Sequence, residues 1–402
     1  MESSYYLQPN RFRYRLFYSE QEEELMHGPE AKRRVVIVER RLTHYRVPFF
    51  NRLRTILAEE GIELQLLIGE GKDAEARRRD LGMLDWAIRI PIYQILNGKI
   101  CWQPFGAYAR AADLVIVNHE NKLLYNLWLL FFRRPHRLAF WGHGRNMQSH
   151  APNGMRELFK RWTLSKADWW FAYTDMTAEL VATAGFPRES VTVVQNAADN
   201  NEMMELCDKV SNRDCQHLRR KLQLGNGPIG LYLGSLYREK RLDFLLEAAH
   251  RIRQKIPSFQ LVIAGAGQEQ DRIEAAAARC PWIHYAGPLH GENKAVALVL
   301  ADVLLNPGAV GLGIQDSFVG GAPMFTTDCG LHGPEISYLD SGKNGVMSAD
   351  NLEDYTGAVV EALSHPETLE RLRRGTLESA PAYTVENMAE RFKQGVLACL
   401  SA

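Results

Sequence analysis

Short apolar runs alternate with helical patterns in two successive series, and this rhythm constrains the fold more than any other feature. The first series comprises Val35 to Val38, IELQLLIG (Ile62 to Gly69), DLVIVN (Asp113 to Asn118), RLAFWGHG (Arg137 to Gly144), WWFAYT (Trp169 to Thr174) and SVTVVQNAAD (Ser190 to Asp199). Helical patterns lie between them. One is opened by Pro48 and carries Phe49, Phe50, Leu53 and Ile56; others cover Asn121 to Arg133 and Met155 to Ser165. Asn200 to Asn226 breaks the rhythm, being polar and charged and ending in GNGP. The second series is IGLYLGS (Ile229 to Ser235), FQLVIAGAG (Phe259 to Gly267), IHYAG (Ile283 to Gly287), DVLLNPG (Asp302 to Gly308) and APMFTTD (Ala322 to Asp328). Its helical patterns include Arg241 to Gln254 and Gln268 to Arg279. Continuous apolar strands alternating with helices imply parallel sheets wrapped by helices. The expectation is an α/β chain of two Rossmann-like parallel-sheet units facing a cleft, each of about 170 to 190 residues. The first covers 31–200 and the second 201–385, after an N-terminal extension over 1–30. The last helix, 386–402, fits either unit and can cross back to the first.

The totals exclude several classes. Lys plus Arg and Asp plus Glu each number 48 in 402 residues, so no overall field draws the chain to nucleic acid. The cysteines Cys101, Cys207, Cys215, Cys280, Cys329 and Cys399 form no C-x-x-C pair. That argues against a disulfide framework or a zinc site, and no metal is expected. Met1 to Glu30 lacks the apolar core of a signal peptide. The longest apolar stretch, Leu123 to Phe132, is interrupted by Tyr125 and Asn126. It is shorter than the roughly 20 residues that a membrane span needs. A cytoplasmic protein is the expectation.

Ligands of open parallel sheets bind outside the carboxyl ends of the strands, so the loops directly after strands carry the candidate chemistry. GSLYREKRLDFLLEA presents Arg238, Lys240 and Arg241 where a helix begins. Cations beside the unpaired N–H groups of a helix start make an anion site; taken singly, each is equally well a solvated surface charge. NPGAVGLGIQDSFVGG places Gly308 and Gly311 after the strand Val303 to Asn306. Backbone N–H groups around Val310, Gly311 and Leu312 can then meet a diphosphate or a sugar, with Asp316 just over one turn further in. The alternative is a tight connection followed by an exposed helix carboxylate. FWGHGRN puts His143 between two glycines at a strand end with Arg145 nearby, and LTHYR adds His44, Tyr45 and Arg46 on the same expected rim. Dinucleotide binding is not indicated: GAGQEQ has Gln270 at the third glycine, and Val38 is followed by Glu39-Arg40-Arg41. Neither a G-x-x-x-x-G-K-[ST] loop nor a G-x-S-x-G elbow occurs.

Together these segments resemble glycosyltransferase family 4, whose members have the two-Rossmann GT-B architecture. The resemblance runs from about Val35 to the C-terminus. Lys240 stands at the lysine of the family's G-R-x-x-x-E-K-G segment, and Ser235 stands at its arginine, leaving Arg238 or Arg241 to substitute. VVQNAAD resembles I-P-N-G-V-D, with Asn196 and Asp199 at the matching places. GPEISYLDSGKNG resembles the family's G-G-x-P-E-I-I-x-D-G-x-N-G segment, with Glu335 at its glutamate. WGHG resembles the loop that carries a histidine near the reacting sugar. GAVGLGIQD aligns with E-G-F-G-L-x-x-x-E, so Gly308 replaces the first glutamate and Asp316 the second, which in the family grips the nucleotide's ribose.

The resemblance implies retaining transfer of a sugar from a nucleoside-diphosphate donor to a hydroxyl of a glycan or lipid-linked acceptor, in cell-surface polysaccharide or glycolipid synthesis. It implies no metal and no cofactor beyond the nucleotide-sugar co-substrate. His143 and Lys240 inherit catalytic roles. Ser235, Arg238, Lys240, Arg241, Gly308, Val310, Gly311, Leu312 and Asp316 inherit the donor side, and His44, Tyr45, Arg46, Arg145 and Asn196 the acceptor side or cleft. MRELFKRWTLSKADWW and the Leu123 to Arg137 region combine cationic and aromatic faces, which fit peripheral contact with the inner face of a membrane. They fit amphipathic helices packed on a sheet equally well. A nucleotide-sugar epimerase, a sugar phosphorylase and a non-catalytic nucleotide-sugar-binding module are the competing readings.

Overall fold

The computed structural model describes residues 32–70, 81–96, 99–120, 122–144 and 162–402. The extension 1–30, Arg145 and most of the helix expected over Met155 to Ser165 lie outside these residues. The first half contributes β1 (Arg33–Glu39), β2 (Ile62–Glu70), β3 (Ile88–Pro91), β4 (Tyr93–Ile95), β5 (Ile100–Trp102), β6 (Leu114–Asn118), β7 (Leu138–Gly142), β8 (Trp169–Ala172) and β9 (Val191–Val193). Apart from the antiparallel hairpin β4–β5, they form one parallel sheet in the order β3-β2-β1-β6-β7-β8-β9. Strand β1 is central, and its side chains alternate between two cores. Val35 and Ile37 enter one cluster with Phe49, Trp141 and Phe171, while Val36 and Val38 enter the other with Phe140 and Trp170. A strand covered on both faces in this way must read as a continuous apolar run.

The second half contributes β10 (Ile229–Leu233), β11 (Gln260–Ala264), β12 (Ile283–Tyr285), β13 (Val303–Leu305), β14 (Met324–Thr327) and β15 (Gly345–Ser348). All are parallel, in the order β12-β11-β10-β13-β14-β15. Both sheets have a point where the strand order reverses, between β1 and β6 in the first and between β10 and β13 in the second. Crevices at such points are where open α/β sheets hold ligands.

Two segments differ from the sequence reading, and a third settles a question it left open. Asn200 to Asn226 contains two helices, Asn201–Lys209 and Asn212–Lys221, the second started by a capping box of Ser211 and Asp214. Strand character in Ser190 to Asp199 stops at Val193, and Gln195 adopts a left-handed φ of 55° as the chain leaves the sheet. The terminal helix Val385–Ser401 packs on the first sheet, where Phe392 stacks on Phe171 with ring centroids 4.2 Å apart. Among the described residues no helix is long and apolar enough to cross a membrane.

Candidate active site

The loops after β10 and β13 interlock at the reversal point of the second sheet. Arg238–Lys240 form a 3-10 turn, and Arg241, with a left-handed φ of 55°, leads into the helix Leu242–Lys255. The Ala309 N–H donates to the Glu239 carbonyl at 2.9 Å, and the Lys240 ammonium donates to the Ala309 carbonyl. A Cβ at Gly308 would lie 2.5 Å from the Lys240 carbonyl carbon, 2.6 Å from its oxygen, and closer still to the Glu239 oxygen. The turn therefore fills the space that a side chain at 308 would need, which accounts for glycine at the first glutamate position.

These contacts separate the three cations. Arg241 donates to Pro307 O at 3.3 Å and to Thr327 Oγ1 at 3.0 Å, pairs with Asp350, and lies over the Phe244 ring. It fastens the loops together and is not offered to a ligand. Arg238 is exposed and, among the described residues, its side chain has no partner. Of the two candidates for the missing arginine, Arg238 is the available one. Ser235 is exposed beside it, and its carbonyl accepts the Tyr232 hydroxyl at 2.8 Å. Lys240 is largely enclosed, and desolvation lowers its pKa to about 8, opposed only by Cys329.

Not all of the expected backbone donors are open. The Val310 N–H donates to His332 Nδ1 at 3.1 Å, while His332 Nε2 lies 2.7 Å from the Thr327 carbonyl. In this network Nδ1 accepts and Nε2 carries the ring proton toward the Thr327 carbonyl. Val310 therefore has no free amide for a donor phosphate, contrary to the sequence expectation. The N–H groups of Gly311, Leu312 and Gly313, which precede and start the helix Gly313–Gly320, have no acceptor among the described residues. Asp316 is not an exposed carboxylate: its side chain is 19 % exposed and pairs with Lys294 at 2.7 Å.

Between the sheets, the segment 195–200 is held by polar side chains of the second unit. Gln315 Nε2 donates to Asn196 O at 2.8 Å, and its Oε1 accepts from Ala198 N and Asn200 Nδ2, both at 3.0 Å. Asn196 is buried and donates to Glu335 Oε1 at 2.6 Å. Burial raises the Glu335 pKa, against the Asn196 hydrogen bond. Asn196 thus joins the two units at the floor of the cleft.

On the first sheet, His44–Arg46 form a 3-10 turn after β1, with His44 exposed and Tyr45 half-buried. Arg46 is not a rim cation. It is buried over the rings of Trp141 (4.8 Å), Tyr45 and Tyr173 (both 5.3 Å). Burial opposes its charge, yet Tyr173, Tyr45 and Glu39 together raise its pKa. Glu39, at the end of β1, is pushed up to about 7 by desolvation, against Arg46 and a 2.8 Å hydrogen bond from Asn118. His143 is exposed, edge-on to Tyr173 at 4.4 Å. Sequence reading missed Glu39, Tyr173, Lys294 and His332. Only Glu39 left a signal, being a carboxylate at the last position of an apolar strand.

Two facing parallel sheets, with a cation-bearing turn locked to a glycine loop on one and a histidine–aromatic rim on the other, define a GT-B scaffold. Residues 227–365 match the family described as glycosyl transferases group 1, and residues 47–197 match the glycosyl transferase 4-like domain. The chain belongs to the family 4-type GT-B glycosyltransferases. Its fold is similar to that of Anabaena Alr3699/HepE in complex with UDP and glucose: 14 % identity, 91 % of this chain and 99 % of that one covered, TM-score 0.63. It is also similar to sucrose-phosphate synthase of Thermosynechococcus elongatus, at 16 % identity, 90 % and 98 % coverage and TM-score 0.64. A third similar structure is WaaG, a glycosyltransferase involved in lipopolysaccharide biosynthesis, at 14 % identity, 90 % and 98 % coverage and TM-score 0.60. No curated protein matches the chain in sequence.

Proposed function

We propose that this glycosyltransferase moves a sugar from a nucleoside diphosphate to a hydroxyl of a glycan or lipid-linked acceptor, with retention of configuration and without a metal, in cell-surface polysaccharide or glycolipid synthesis. The observation that carries this reading is the interlocked pair of loops at the β10/β13 crevice. They hold Lys240 beside the Arg238 side chain and the N–H groups of Gly311 to Gly313, and neither that side chain nor these N–H groups have a partner among the described residues. Two cations and several amide donors around one crevice suit a leaving diphosphate, whose developing charge they stabilise. Among the described residues the enclosed Lys240 ammonium meets a carbonyl and the Tyr237 ring but no carboxylate, so an anionic ligand would complete its setting. The similarity to a structure holding UDP and glucose supports a uridine donor as the first to test. His143 and His44 would face the acceptor, beside Tyr45 and Tyr173.

The test is incubation of the purified chain with UDP-glucose, UDP-N-acetylglucosamine and GDP-mannose in the presence of a chelator. Slow release of the nucleoside diphosphate, with an α-configured sugar product from an α-linked donor, is the expected result. Absence of both turnover and thermal stabilisation by any nucleoside diphosphate would remove the reading and leave a scaffold without donor chemistry.

A membrane-proximal acceptor has its own support. Tyr93, Ile95 and Leu96 on the β4–β5 hairpin and Phe131, Phe132 and Trp162 are exposed. Trp128 stacks on Phe132, Phe131 stacks on Trp162, and the Lys166 ammonium lies 5.5 Å from the Trp162 centroid. Arg133 and Arg134 are exposed beside them. Aromatic rings flanked by cations suit the interface of an anionic bilayer. Co-sedimentation with phosphatidylcholine vesicles should therefore require added phosphatidylglycerol and should weaken in a Phe132→Ala/Trp162→Ala double variant. Equal binding to neutral vesicles would refute the electrostatic part.

A further inference from the structure

The Lys294–Asp316 pair has a position that stability does not explain. Lys294 is on the helix Gly291–Leu300 and Asp316 on Gly313–Gly320. The two helices follow β12 and β13, start at the carboxyl edge of the second sheet, and share one core through Ala297, Leu298, Ile314 and Phe318. Each partner lies three residues after a glycine that starts its helix, and residues three apart share a helix face. Gly291 and Gly313 are both exposed, with no atom within 4 Å of where a Cβ would be. The two helix starts are thus uncrowded, and the side chains of the pair below them remain 24 % and 19 % exposed. The helix Asn201–Lys209 packs against both helices. Its Cys207 thiol is pushed up to about 11 by burial first and then by Asp208 and Asp316. A part-exposed ion pair contributes little to folding, so helix tethering is a weak reason for placing opposite charges there.

The chemistry fits a vicinal diol. Each ribose hydroxyl donates one hydrogen bond and accepts others; a carboxylate only accepts, and an ammonium only donates. An aspartate is one methylene shorter than the glutamate that the family's pattern has at this position. The flexible four-carbon stem of a lysine can make up that reach from the neighbouring helix. Resting on the donor reading above, we infer that Lys294 is a specificity-determining residue, donating to a ribose hydroxyl oxygen while Asp316 accepts that diol's protons. The pair in the free enzyme then holds both side chains in place until the nucleoside enters.

Binding of UDP and 2′-deoxy-UDP, with GDP and ADP alongside, should be measured calorimetrically for the wild type, Lys294→Met and Asp316→Asn. A site built to bond a hydroxyl rejects the analogue lacking it. The wild type should prefer UDP over 2′-deoxy-UDP by about tenfold or more, as loss of a hydrogen bond to a charged group implies. Lys294→Met should bind UDP about tenfold more weakly, bind 2′-deoxy-UDP nearly as well as the wild type does, and keep its melting temperature. Asp316→Asn should weaken UDP binding likewise. An unchanged UDP to 2′-deoxy-UDP ratio in Lys294→Met overturns the inference, and a drop in melting temperature with that ratio intact makes the pair a helix tether. Failure of the wild type to bind any of the three ribonucleoside diphosphates instead overturns the donor reading itself.

Discussion

Lys240 gives the sharpest consequence of a single environment. Its pKa is lowered to about 8 because the ammonium is desolvated between two loops. A diphosphate would restore opposite charge and raise that value, so binding takes up a proton when the free side chain is neutral. The sign follows directly. Below about pH 8 the free enzyme already carries the charge and affinity is at its maximum; above it, affinity falls until the pKa of the bound state is passed. Isothermal titration of UDP between neutral pH and pH 9.5 should show this fall, with the proton uptake visible as a buffer-dependent enthalpy. Lys240→Met should remove the dependence and reduce turnover by about 10²-fold or more, with the fold intact. His143 is exposed against Tyr173, so His143→Ala should lower kcat with little change in melting temperature. A large stability loss with turnover per folded molecule preserved would make it structural. The cations and the histidine were legible in the sequence because each follows an apolar strand. The amide of Val310 was not, since its acceptor, His332, is 22 residues away and is brought in by the loop after β14. Whether Arg46 lies on the rim or beneath it was equally hidden, because three segments outside its own turn supply the rings of Phe49, Trp141 and Tyr173 around it.

At the scale of elements, the departure at 308 turns from an apparent loss into a packing requirement. A Gly308→Glu variant restores the family's residue in sequence but drives a Cβ into the backbone of Glu239 and Lys240. Backbone cannot swing aside as a side-chain tip can, so the 3-10 turn must shift and take Lys240 with it. Overpacking of this kind costs about 1 to 3 kcal/mol. Urea denaturation should show that loss, and UDP binding should weaken with it; a variant with wild-type stability and stronger donor binding would mean that the turn is adaptable. The buried strands were the easiest elements to read, since continuous apolar runs have few other uses. The helices Asn201–Lys209 and Asn212–Lys221 were not, because the first buries no residue fully and the second only Leu218. A helix that contributes so little to a core has an almost entirely polar sequence, and only the Ser211–Asp214 capping pair marked its start. The short strands β3, β4 and β5 are partly exposed and lack the run that marked the others.

For the whole molecule, the question left open by the sequence was which unit owns the last helix. Its apolar face suits either sheet, and periodicity carries no address. The structure resolves this through shape. Gly395 allows the helix so close to β8 and β9 that a Cβ there would lie 2.5 Å from Thr192 Oγ1 and 2.6 Å from the Phe171 ring. Phe392 then lies flat on Phe171, with Phe49 and Trp141 also against it at 5.5 and 5.1 Å. One helix turn earlier, Met388 Sδ accepts from Ala197 N at 3.3 Å and from Arg46 Nη1 at 3.6 Å. The chain that leaves the second unit thus completes the core of the first and touches both the crossing segment and the buried arginine. Removing the Phe392 ring should cost more than a local contact. A fully buried phenylalanine cut to alanine loses about 3 to 5 kcal/mol. Because the ring closes the core beneath β1, β7 and β8, the loss should fall on unfolding of the first unit, leaving nucleoside diphosphate binding by the second nearly unchanged. Urea denaturation of Phe392→Ala followed by tryptophan fluorescence would report chiefly the first unit, which holds Trp86, Trp102, Trp128, Trp141, Trp162, Trp169 and Trp170 against Trp282 in the second, and UDP calorimetry the second unit. Equal loss in both signals would show that the two units unfold as one cooperative body, with the crossing helix as the coupling element.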